Sequence, residues 1–88
     1  MKISEAGNTI IPAYITLQEK GYKVERVLCE PNDSITLWRA EKDNKEFNAS
    51  DPLALLGIVA MAEHRGEDWK PKIDESKEFI EKYLNEKI

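Results

Sequence analysis

Ile35-Thr36-Leu37-Trp38-Arg39-Ala40-Glu41-Lys42-Asp43-Asn44-Lys45-Glu46-Phe47-Asn48-Ala49-Ser50-Asp51-Pro52 is the stretch on which the fold turns. Ile35 to Lys42 is rich in β-branched and aromatic residues and predicts a strand. Asp43-Asn44 predicts a tight turn. Lys45 to Ala49 follows as a short strand carrying Phe47. Ser50-Asp51-Pro52 then opens a helix. Asp51 can accept a bond from a free backbone N–H, and Pro52 fits the first helical position with its φ already set. Upstream, Tyr22 to Cys29 reads as another strand, with Tyr22 and Val24 on one side and Lys23, Glu25 and Val27 on the other. Its alternation slips over Arg26-Val27-Leu28-Cys29, which suggests a bulge. Pro31-Asn32-Asp33-Ser34 supplies turn chemistry between these strands. The three strands together predict an antiparallel meander.

Helices flank the meander. Residues 9 to 20 place Ile10, Tyr14 and Leu17 on one face, with Asn8 or Thr9 as cap and Gly21 as a left-handed stop. The central helix runs from Pro52 to about Arg65 and ends at Gly66. A polar loop with Trp69 and Pro71 leads to a last helix capped by Asp74, whose stripe is Ile73, Ile80, Tyr83 or Leu84, and Ile88, with Phe79 at its edge. The expected architecture is α+β, in the order α-β-β-β-α-α. It is a three-stranded antiparallel meander with helices packed on one face, in a single globular domain spanning 1–88.

Two places do not close. The second strand carries large apolar groups on both faces, Ile35 and Leu37 on one and Trp38 and Ala40 on the other. Either Trp38 turns inward at a bulge or lies under the C-terminal segment, or it sits on a partner surface. The central helix is apolar almost all round, which predicts burial on several sides. Gly57 at its middle predicts a close backbone approach. Apolar surface left uncovered there would form a dimer or partner interface.

The chain has 88 residues, 41% hydrophobic and 34% charged, with 4 Gly and 4 Pro. That balance excludes disorder, collagen and low complexity. Size scaling gives a folded surface of roughly 5,300 Å², enough for one modest core. A net charge of −4 argues against a dedicated nucleic-acid binder. One Cys and one His leave no internal disulfide and little for zinc. The start shows no signal-peptide core, and the longest apolar run is too short for a bilayer, so a cytoplasmic location is expected.

Glu63-His64-Arg65-Gly66-Glu67-Asp68-Trp69 is the one dense polar cluster. It reads either as an acid–base or anion site, or as a helix end whose His64 and Arg65 offset the helix dipole. His64 with Glu67 or Asp68 falls short of a metal-ligand set. A Cys29–His64 nucleophilic pair would need the fold to join the two. No phosphate loop is present. No catalytic residues, no cofactor and no metal are expected.

Trp38-Arg39-Ala40-Glu41-Lys42-Asp43, Phe47, Ala49, Asp51-Pro52-Leu53-Ala54-Leu55-Leu56-Gly57 and Glu63-x-Arg65-Gly66-Glu67-Asp68-Trp69 resemble a group of small bacterial proteins of no assigned activity. Gly7-Asn8, Pro12-Ala13 and Gly21-Tyr22 extend the resemblance over about residues 7 to 70. In size and charge the chain is loosely similar to immunity proteins, which bind and neutralise a toxin. The resulting expectation is a non-enzymatic protein-binding module, most concretely immunity- or antitoxin-like, with a basic toxin as partner. Trp38, Glu41, Asp43, Glu46, Glu67, Asp68 and Trp69 are its candidate contacts. The alternative is an anionic-ligand sensor or accessory enzyme subunit using Arg39, His64 and Arg65. A homodimer is compatible with both.

Overall fold

The computed structural model describes residues 1–5, 7–29 and 35–84. A 3₁₀ turn, Gly7–Thr9, leads into α1, Ile10–Glu19. The strands are β1, Lys23–Cys29, β2, Ile35–Lys42, and β3, Lys45–Ala49. They form one antiparallel sheet in the order β1-β2-β3. Then come α2, Pro52–Arg65, a 3₁₀ turn at Gly66–Asp68, and α3, Ile73–Phe79, which continues as a π turn over Ile80–Leu84. The protein is an α+β domain with the expected element order. The turn at 31–34 and the stripe's last member, Ile88, lie outside the described residues.

Local chemistry sets each boundary. Asp43 and Asn44 both take left-handed φ, 51° and 64°, the geometry a two-residue hairpin requires and one that Asp and Asn tolerate. Asp51 caps α2, its Oδ1 accepting from the Ala54 N–H at 2.8 Å, with Pro52 in the first turn. α1 ends in a Schellman motif. The Gly21 N–H donates to the Gln18 carbonyl and the Tyr22 N–H to the Leu17 carbonyl, with Gly21 at φ +95°. Two caps differ from expectation. Thr9 already has helical backbone angles, because α1 is entered through a 3₁₀ turn and not from extended chain. α3 begins at Ile73, so Asp74 lies within its first turn. The Glu75 carboxylate reaches back to accept from the Lys72 N–H at 2.8 Å.

β1 and β2 pair residue for residue from Lys23↔Glu41 to Cys29↔Ile35, so β1 holds no bulge. Plain alternation suffices to send Val24, Trp38, Ala40, Phe47 and Ala49 toward the helices. The core cluster is Leu17, Tyr22, Ala40, Leu55 and Val59, and those five contact the inward strand residues and Leu56. Trp38 is half-buried there, its ring edge-on to Tyr14 with centroids 6.2 Å apart. On the opposite sheet face Arg39 pairs with Glu25 at 3.3 Å and Glu41 at 3.1 Å, next to the half-buried cross-strand pair Val27 and Leu37.

α2 is more one-sided than its composition implied. Pro52, Leu55 and Val59 are buried, whereas Ala54, Gly57, Ala60 and Met61 are exposed. Nothing lies within 4 Å of a Cβ built at Gly57, so no backbone packs there. Ala54, Gly57 and Ala60 carry little side-chain area, so leaving them exposed costs little. α3 contributes no buried side chain.

Candidate functional site

A shallow recess opens between β3 and the C-terminal end of α2, with a volume of about 420 Å³. Its aromatic walls are Tyr22, Phe47 and Trp69. Glu46, Glu63 and Glu67 supply three carboxylates against one ammonium, Lys45. Ala62 and Gly66 complete the α2 side.

Each wall is placed by the fold. Tyr22 follows the Schellman turn and is buried. Its ring meets Phe47 edge-on, with centroids 6.1 Å apart. Glu46 neighbours Phe47 on β3 and accepts from Asn48 Nδ2 at 3.1 Å. Gly66, at φ +72°, stops α2 and turns the chain so that Glu67 and Trp69 border the recess. Trp69 is 44% exposed, with the Lys70 ammonium 5.7 Å from its ring centre.

Glu63 links α1, the sheet and α2. Lys20 Nζ lies 2.9 Å from its Oε1, and the Tyr22 hydroxyl donates to its Oε2 at 3.1 Å. The Lys20 bond, assisted by the tyrosine hydroxyl, holds the Glu63 carboxyl below its usual range. Burial, with the adjacent Glu63 carboxylate, pushes the Tyr22 hydroxyl up. The Lys42 ammonium stands 5.3 Å from the Tyr22 ring centre and donates to the Lys20 carbonyl at 2.7 Å. With the Glu63 charge offset by Lys20, the rim is left with Glu46 and Glu67 against the one ammonium of Lys45, an excess of one negative charge.

Of the residues singled out in the sequence, Glu46, Glu67 and Trp69 come together here. Trp38 packs half-buried against the core, Glu41 lies on the outer sheet face beside Arg39, and Asp43 in the hairpin turn. Asp68 is exposed in the 3₁₀ turn. Arg39, His64 and Arg65 do not converge. Arg39 is engaged by two carboxylates on β1 and β2, Arg65 binds Glu75 at 2.8 Å, and His64 is exposed in the last turn of α2. Cys29 closes β1, but its side chain lies outside the described part of the structure. Among the described residues no three or more His, Cys, Asp or Glu side chains are grouped to hold a metal ion. No helix among them is long and apolar enough to cross a membrane.

Sequence reasoning missed Tyr22 and Phe47 as site residues, since both read only as members of strands. The polar cluster at 63–69 did signal Glu63, because it supplies one whole rim of the recess. Comparison with family models, with curated proteins and with solved structures finds no match. The class defined by fold and site is a small α+β domain with an aromatic, acid-rimmed recess.

Proposed function

We propose that the protein is a non-enzymatic, cytoplasmic protein-binding module that receives a basic side chain of its partner in this recess. Its most concrete form is an immunity- or antitoxin-like inhibitor of a basic toxin. The observation that carries the reading is the placement of Phe47 and the half-exposed Trp69 beside Glu46 and Glu67, two carboxylates against the one ammonium of Lys45. Aromatic faces attract a lysine or arginine cation, and carboxylates at the rim steer and fix it. A net charge of −4 adds long-range attraction for a basic surface. The alternative, an anionic-ligand sensor built on Arg39, His64 and Arg65, has less support, because both arginines are already paired with carboxylates.

The test is a parallel capture from native host lysate, with the wild-type chain, Trp69→Ala and Glu67→Lys as baits. A basic protein held stoichiometrically by the wild type and lost by both variants supports the reading. Equal recovery on all three baits removes the recess from the interface.

A further inference from the structure

We infer, on the reading of the recess as the binding site, that Arg65 and Glu75 are its positioning residues: their ion pair is a clasp that closes the loop bearing Glu67 and Trp69 and holds both at the rim. Arg65 ends α2 and Glu75 lies in the first turn of α3, ten residues apart in sequence. The Arg65 guanidinium donates through Nη2 to Glu75 Oε1 at 2.8 Å, and that same oxygen accepts from the Lys72 N–H at 2.8 Å. One carboxylate oxygen therefore fixes the chain on both sides of Trp69.

Gly66, Glu67 and Trp69 of this loop line the recess, so the path of the loop decides the shape of that wall. α3 gives no side chain to the core, and among the described residues no other hydrogen bond or ion pair joins α2 to α3. With both ends held, few torsions stay free between them. Gly66 leaves α2 at φ +72° with its N–H still bonded to the Ala62 carbonyl. Trp69 keeps helical angles, −68° and −23°, and Lys72 is extended at −76° and 162°. Pro71 locks its own φ and biases Lys70 toward extended chain. Released from Arg65, α3 pivots on this short linker and draws Trp69 with it. An exposed ion pair biases such an equilibrium by up to about fivefold.

Nitrogen-15 relaxation of the ligand-free full chain tests the clasp without any partner. In Arg65→Ala the heteronuclear NOE should fall at the Glu67, Trp69 and Lys70 amides and at the Trp69 indole N–H. The values in α1, the sheet and α2 as far as Ala62 should hold, with an unchanged far-UV circular dichroism spectrum. Arg65→Lys keeps a cation for Glu75 and should restore the wild-type profile, whereas about 1 M salt should loosen the wild-type loop toward that of Arg65→Ala. An arginine-rich peptide should bind Arg65→Ala up to about fivefold more weakly than Lys77→Ala, which removes the same charge elsewhere, because fewer molecules hold the loop in place. An unchanged NOE profile in Arg65→Ala, or a loosened loop with equal affinity in the two variants, would overturn the proposal. Loosening in a chain whose wild type binds no such peptide supports the clasp and removes the recess reading instead.

Discussion

Asp51 fixes where α2 begins, and the cost of losing it is calculable. Removing an N-cap side chain typically costs ~1 kcal/mol, so Asp51→Ala should lower unfolding free energy by about that amount in urea titration. Gly57 makes the opposite case. It is exposed in mid-helix with open space around its Cα, so Gly57→Ala should stabilise the fold by up to about 1 kcal/mol through helix propensity. Glu63 makes stability depend on pH. Its carboxyl is held below 4.5 in the folded chain by Lys20, so the folded state binds this proton more weakly than the unfolded chain does. The resulting stabilisation is present above pH 4.5 and is lost as pH falls through the lowered value. Glu63→Gln should therefore flatten the acid limb of a plot of Tm against pH. An unchanged acid limb would contradict the Lys20–Glu63 pairing.

At the scale of elements, α2 and α3 differ in what they bury. Leu55 is fully buried at the contact of α2 with α1 and the sheet, and Leu55→Ala should cost about 2–5 kcal/mol. Ile73 is 85% exposed on α3, and Ile73→Ala should change chain stability by no more than about 0.5 kcal/mol. Denaturant titration of the two variants separates the helix that makes the core from the one that does not. The same contrast explains what could be read from the chain. The β2–β3 hairpin and the start of α2 rest on signals a few residues apart: the left-handed turn at Asp43-Asn44, the Asp51-Pro52 cap and the alternation around Phe47. Burial of α2 and α3 depends on which other elements lie nearby, and periodicity alone carries no such information. Trp38 illustrates the limit. Its side of β2 follows from alternation, but which side is inward follows from where Ala40 and Phe47 meet α2.

At the scale of the whole molecule, recess and charge act together. The sequence cluster at 63–69 marks one rim, whereas the facing rim, Glu46 and Phe47, comes near only when β3 packs beside α2. Half of the candidate site was therefore readable as a local run, and the other half depended on tertiary contact. A partner attracted by a charge of −4 should associate more slowly as salt rises, with the change falling on the association rate. If Trp69 anchors that partner, Trp69→Ala should reduce affinity by about 2 kcal/mol or more, as central aromatic anchors do, with the loss appearing in the dissociation rate.

The most direct measurement is a nitrogen-15 NMR titration of the full chain with a short arginine-rich peptide, using a glutamate-rich peptide as control. Saturable shifts are expected, concentrated at Glu46, Phe47, Glu63, Glu67 and the Trp69 indole N–H, weakened by salt and abolished in Trp69→Ala. Shifts spread evenly over every acidic residue, or centred on Glu25 and Glu41 of the outer sheet face, would contradict it.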